Sequence, residues 1–146
     1  MGSTGGVLVA LALSAWLITL SAFDIRQRRL PNVLTLPGAA IVLAGAAVAG
    51  YGSGATLGAA ALFAAYTAVH LIAPAAMGAG DVKLAIGVGA STGALGPDVW
   101  ALAALLAAAL TMGWAAVLLA TRSDATVPHG VSMCVSAAAV LWLVLP

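Results

Sequence analysis

The sequence predicts an all-α membrane protein, a polytopic helix bundle of five to six transmembrane helices in a single domain over residues 1–146. The chain is 64% hydrophobic and only 6% charged, whereas soluble domains carry roughly 25% charged residues. Its apolar residues form long runs that are separated by short polar or glycine-rich breaks. Six spans of about 20 residues each would leave room only for short loops. These observations exclude an ordinary soluble globule.

The order of the elements follows from the apolar runs. We treat the first run as a span and not as a signal peptide, because no Lys or Arg precedes Asp24. Pro31 forces Leu30 out of helical geometry, and we expect Asn32 to cap the second helix. The fourth run is short for a span and should be tilted, extended or partly re-entrant, and the last run is also short. The six predicted segments are 7–23, 33–51, 55–73, 82–96, 99–120 and 129–145.

Small residues along these segments predict close approach between helix backbones. The high alanine content of the chain accounts for any single glycine equally well, so both explanations stay open. The glycines concerned are Gly45, Gly50, Gly58, Gly87, Gly89 and Gly113.

The five basic residues predict the orientation of the bundle. With six alternating spans, all of them lie at the same membrane face, and by the positive-inside rule that face is cytoplasmic. The arginines after the first span also suit anionic lipid headgroups, which makes the lipid bilayer a partner. The residues are Arg26, Arg28, Arg29, Lys83 and Arg122.

Two aspartates map to the same face. Asp81 opens the fourth segment behind Gly78 and Gly80, whose missing side chains would admit an extended peptide. Helix capping is the alternative explanation for Asp81. Asp24 closes the first segment, where the helix dipole disfavours an anion, and a solvated cluster with the following arginines is its alternative explanation. We therefore expect Asp24 and Asp81 to face each other.

Two adjacent carboxyl groups suggest the chemistry of an aspartic peptidase. They cannot both ionise easily, so one takes a proton from water while the other polarises a carbonyl group. This chemistry needs no metal and no cofactor, and we expect neither, nor a nucleic-acid partner. Cys134 stands alone, and His70 and His129 are too scattered to suggest a metal cluster. The role of the two histidines stays open.

The stretches "FDIRQRRLPNVLT" and "GAGDVKLAIG" together resemble the type IV prepilin peptidase family, the bacterial branch of the GxGD intramembrane aspartic proteases. The family pairs an Asp, followed by a basic stretch and Pro-Asn, with a second Asp in Gly-x-Gly-Asp-x-Lys. "VPHG" at 127–130 resembles the proline-containing start of the final helix of the family. The matching positions here are Asp24, Pro31, Asn32, Gly78, Gly80, Asp81 and Lys83.

The resemblance implies a specific activity. Asp24 and Asp81 would be catalytic, in the inner (plasma) membrane of a bacterial cell with the active site at the cytoplasmic side. The substrate would be a prepilin-like protein whose short basic leader is removed after a Gly, just before a hydrophobic helix. Large bifunctional members carry a cytoplasmic insertion, associated with N-methylation, that has no counterpart here. The chain therefore resembles the short type of tight-adherence (Flp) pilus systems, without N-methyltransferase activity, and pilus-assembly proteins stay open as partners.

Two other functions stay open. Asp24 and Asp81 could form a proton or cation site in a small non-enzymatic membrane carrier, because intramembrane carboxylates often serve that role. No further acidic residue is predicted in the middle of the membrane to continue such a path. The chain could also be an inactive component of a pilus-assembly complex, although both aspartates are present.

Overall fold

The computed structural model describes residues 3–145 and forms, within that range, six α-helices and no strand. Each helix begins and ends within about one turn of its predicted segment, and the all-α prediction is confirmed. The helices are α1 (Ser3–Gln27), α2 (Asn32–Val48), α3 (Gly52–Ile72), α4 (Ala79–Gly93), α5 (Pro97–Ala120) and α6 (His129–Val144).

The helices fall into two length classes. Among the described residues, three are long and apolar enough to cross a membrane, namely Thr4–Gln27, Gly52–Ile72 and Pro97–Ala120. Helices α2 and α6 are apolar but shorter. The outer surface is also apolar, since Val48 is 92% exposed and Leu119 82% exposed. Apolar side chains face outward without penalty where lipid is the solvent, and the chain is an integral membrane protein.

Helix α4 lies at the centre of the bundle. It has 15 residues, too few for the roughly 20 that a span needs, and it packs against α2, α3, α5 and α6. Most of its residues from Val82 to Gly93 are buried, and Leu84 is 0% exposed. The fourth segment is short, as predicted, and neighbouring helices surround it. Its first turn carries Asp81 into the protein.

Glycines bring the backbones of α3 and α4 into direct contact. A Cβ atom at Gly54 would lie 2.6 Å from the carbonyl oxygen of Gly93, and Gly58 and Gly89 approach each other more closely still. Each helix thus presents two glycines four residues apart, a spacing typical of tightly packed membrane helices. Gly87 lies under the indole ring of Trp16. The close approach predicted for Gly45, Gly50 and Gly113 is wrong within the described residues, because each faces open space.

One end of the bundle gathers three connections, at 28–31, 73–78 and 121–128. Arg28 Nη1 donates a hydrogen bond to the carbonyl oxygen of Thr126 at 2.7 Å, joining the first connection to the third. A Cβ atom at Gly80 would lie 3.2 Å from Cβ of Leu30, so the start of α4 packs on the first connection. The C-terminal end of α1 and the N-terminal ends of α4 and α6 therefore meet here, as the alternating spans predicted.

Candidate active site

Asp24 lies on the last full turn of α1, and its carboxylate points at the beginning of α6. Oδ2 of Asp24 accepts a hydrogen bond from the backbone N–H of Val131 at 3.1 Å, and the Gly130 backbone also faces it. The first N–H groups of a helix have no partner within the helix and carry its positive dipole end. Asp24 is only 8% exposed, so the explanation as a solvated charge cluster is wrong. The start of α6 compensates for the unfavourable end of α1.

Asp81 lies in the first turn of α4, three residues after the capping position. The N-cap is Gly78, with φ −70° and ψ 148°, and the Asp81 N–H donates to its carbonyl oxygen at 3.1 Å. Oδ2 of Asp81 lies close to Gly78, where a Cβ atom would stand 3.4 Å away. The carboxyl group thus folds back over the helix start, where the dipole favours a negative charge.

The two carboxyl groups converge at Gly130. A Cβ atom at this glycine would lie 2.8 Å from Oδ2 of Asp24 and 3.2 Å from Oδ1 of Asp81. Oδ2 of Asp24 and Oδ1 of Asp81 therefore lie within about 6 Å of each other, although the two residues are far apart in sequence. The sequence pattern did not single out Gly130, because "VPHG" indicated only the start of a helix. The feature of the sequence that could have indicated Gly130 is its place directly after His129 at the start of that helix.

A cleft of about 310 Å³ opens beside the carboxyl pair. Asp24 and residues 78–81 line it together with Leu30 and three basic residues. Gly78 leaves the space beside Asp81 open, whereas Gly80 owes its missing side chain to the packing of Leu30. The basic residues that line the cleft are Arg28, Arg29 and Lys83.

Lys83 and Asn32 connect the two sequence motifs. Nζ of Lys83 donates a hydrogen bond to Oδ1 of Asn32 at 2.8 Å. The predicted capping role of Asn32 is wrong, because Pro31 is the N-cap of α2 and no side chain caps that helix. Leu30 leaves helical geometry before Pro31, as predicted. The Asn32 side chain is thereby free to hold the start of α2 against the start of α4.

Both histidines lie at this end of the bundle and each forms specific contacts. Nδ1 of His70 lies 2.7 Å from the carbonyl oxygen of Met77, just before Gly78. His129 is contacted at both ring nitrogens, by Oγ1 of Thr111 at 2.7 Å and by the hydroxyl of Tyr66 at 3.1 Å. Sequence reasoning left the histidines open and did not find the tyrosine or the threonine.

The arrangement suits general acid–base chemistry on a water molecule. Two carboxyl groups in one site influence each other's ionisation, so one can be ionised and accept a proton while the other is protonated and donates one. Cys134 is only 2% exposed and does not line the cleft. The carboxyl groups among the residues that line the cleft are those of the two aspartates.

Residues 11–120 match the type IV leader peptidase family. The matched region contains both aspartates and the residues between them, and it ends before α6. No curated protein and no solved structure gives a significant match to the chain. The matched region thus does not include His129 and Gly130, whose contacts at the site are given by the structure.

Proposed function

The chain belongs to the type IV leader peptidase family, and on that premise we propose that it is an aspartic endopeptidase with Asp24 and Asp81 as its catalytic pair. The observation that carries this proposal is the convergence of both carboxyl groups on Gly130, beside an open cleft. Family membership supports a peptidase activity, and the carboxyl pair would supply the means to activate water.

In the proposed mechanism, the scissile peptide lies extended along the backbone of 78–81. The ionised member of the pair takes a proton from a water molecule, whose oxygen attacks the scissile carbonyl carbon. The protonated member donates its proton to the carbonyl oxygen, and the resulting tetrahedral intermediate collapses with protonation of the leaving amine. The N–H groups at the start of α6 hold Asp24 in position throughout. The cations of the cleft offset the negative charge of the pair.

The proposed substrate is a prepilin-like protein with a short basic leader. A leader peptidase acts near the membrane surface, and the cleft lies at the bundle end where the helix connections meet. Arg28, Arg29 and Lys83 line that cleft, so the positive-inside rule supports a cytoplasmic location for it in the inner membrane. The proposed substrate would extend its apolar helix into the bilayer and its leader toward the cytoplasm.

We further propose that the chain cleaves without methylating its product, as expected for the type found with Flp pili. Connections between the described helices are short, the longest being 121–128. Within residues 3–145 this leaves no folded extramembrane region to hold a methyl donor. Pilus-assembly proteins would then act on a cleaved, unmodified N-terminus.

The test uses purified protein in liposomes and a synthetic prepilin-like peptide that contains the leader, the Gly and the first apolar residues. Asp24→Asn and Asp81→Asn should each abolish cleavage, because Asn can neither accept the proton of water nor donate one as an acid. The double variant should be no worse than either single variant, since the pair acts as a unit. Asp98→Asn and Asp124→Asn, away from the cleft, are the matched controls.

Rates are normalised to the amount of folded protein, and mass spectrometry of the product is run with a methyl donor present. Substantial cleavage by either variant of the pair would rule out the aspartic mechanism. No cleavage by the unmodified protein would favour the carrier hypothesis. A methylated product would contradict the peptidase-only proposal.

A further inference from the structure

His129 joins three helices through one imidazole ring. It is the first residue of α6, and its ring nitrogens contact Oγ1 of Thr111 on α5 and the hydroxyl of Tyr66 on α3. The Tyr66 and His129 rings also pack edge to face, with centroids 5.4 Å apart and an interplanar angle of 83°. A hydroxyl can donate or accept, so a neutral imidazole with one N–H satisfies both contacts. The first residue of α6 is therefore held from two sides.

The residues that follow His129 are those that hold Asp24. Gly130 lies against both carboxyl groups, and the N–H of Val131 donates to Oδ2 of Asp24. The N-cap of α6 is Pro128, and it contributes no side-chain hydrogen bond. The polar contacts at the start of α6 are thus those of the His129 ring, the bond to Asp24 and the turn bond from the Val131 N–H to the Pro128 carbonyl oxygen at 3.2 Å. A shift of the ring would move the backbone donors and the carboxylate that they bind.

We propose that His129, held by Tyr66 and Thr111, is a positioning residue that sets the geometry of the Asp24–Asp81 pair through the start of α6. None of these three side chains lines the cleft, so none is expected to touch the substrate. The inference rests on the proposed function, because it assigns the network a role in the same reaction. A network that served stability alone would leave the turnover of folded protein unchanged.

The kinetic test compares His129→Ala, Tyr66→Phe and Thr111→Val with two matched controls. Tyr51→Phe alters the other tyrosine, the N-cap of α3 at the opposite end of the bundle. Thr56→Val alters a threonine whose side chain, among the described residues, donates to the carbonyl oxygen of Gly52 in its own helix. The substrate is the synthetic prepilin-like peptide, with the enzyme in liposomes and rates normalised to folded protein.

We expect His129→Ala to lower kcat by about 10- to 100-fold with KM within about twofold, since small misplacements of catalytic groups cost rate and not binding. His129→Gln places an amide near the position of Nε2 and should recover about fivefold over His129→Ala, as one restored hydrogen bond allows. Adding Tyr66→Phe to His129→Ala should lower kcat no further, because both changes remove the same contact. The controls should match the unmodified protein.

Amide hydrogen exchange provides a readout that needs no substrate. His129→Ala should accelerate exchange at 130–134 relative to Tyr51→Phe, while 32–48 stays unchanged. An unchanged kcat in folded His129→Ala, or a raised KM with unchanged kcat, overturns the inference. If His129→Ala does not fold, His129→Gln and Thr111→Val decide by the same criteria. If the unmodified protein does not cleave the peptide, the proposed function fails. The exchange measurement still tests the positioning role in that case, because unchanged exchange at 130–134 in His129→Ala would reject it.

Discussion

Gly130→Ala should impair the reaction because the added methyl group would occupy the point where the two carboxyl groups converge. The new Cβ atom would lie 2.8 Å from Oδ2 of Asp24, 3.1 Å from its Cγ and 3.2 Å from Oδ1 of Asp81. Optimal separations between non-bonded carbon atoms are about 3.5–4.0 Å. Either the Asp24 carboxyl group must move by roughly half an ångström, or the start of α6 must withdraw.

The expected loss of rate follows from that displacement. A misplacement of about 1 Å can lower a catalytic rate by about 100-fold, so half that shift predicts a loss of about tenfold. Weakening the bond from the Val131 N–H to a charged carboxylate contributes up to about 1.5–3 kcal/mol, which extends the range toward 100-fold. We therefore expect kcat to fall by about 10- to 100-fold. KM should change little, because Gly130 does not line the cleft.

The assay is cleavage of the synthetic peptide at saturating concentration, with the variant in liposomes and the folded fraction measured by size-exclusion chromatography. Gly45→Ala is the matched control, because nothing lies within 4 Å of a Cβ atom at Gly45 in α2. That control should keep full activity. Replacing a glycine inside a helix by alanine should stabilise the protein by about 0.5–1 kcal/mol. A folded Gly130→Ala protein with kcat within about twofold of the unmodified one would refute the reasoning about the carboxyl geometry.

The remaining predictions concern the packing and orientation of the bundle. Gly58→Ala should lower the thermal unfolding midpoint and destabilise the protein by about 1–3 kcal/mol, because its methyl group would enter the backbone of α4; Gly113→Ala, which faces open space, should not lower it. An equal midpoint for both variants would contradict the close packing of α3 on α4. In intact cells, with Cys134 replaced, Asp124→Cys should be protected from a membrane-impermeant thiol reagent and Tyr51→Cys should react with it. The opposite pattern would reverse the proposed orientation.

The sequence alone was sufficient to predict the helices and the two motif aspartates. A chain in lipid must satisfy its backbone within each segment, so long apolar runs interrupted by polar or glycine-rich breaks define helices almost directly. The alternation of those runs also placed Asp24 and Asp81 at one end, and both line the same cleft. The choice of helix over strand and the end at which a residue lies are thus properties of local sequence.

Which helix lies at the centre of the bundle could be learned only from the tertiary structure. Leu84 on α4 is fully buried whereas Leu119 on α5 is 82% exposed, yet both are leucines in apolar helices. Because lipid and protein interior are equally apolar, hydropathy cannot tell that α4 is central.

The contacts of the site were hidden for the same reason. Asn32 was expected to cap its own helix and instead accepts a hydrogen bond from Lys83. Asp24 lies at the unfavourable end of its own helix, as expected, and the start of α6 compensates by donating a hydrogen bond to it. Each outcome depends on which helix packs beside the residue, and that follows from the fit of side chains and glycine surfaces between helices far apart in sequence. Local sequence thus determined which residues reach this end of the protein, and helix packing determined what each of them contacts there.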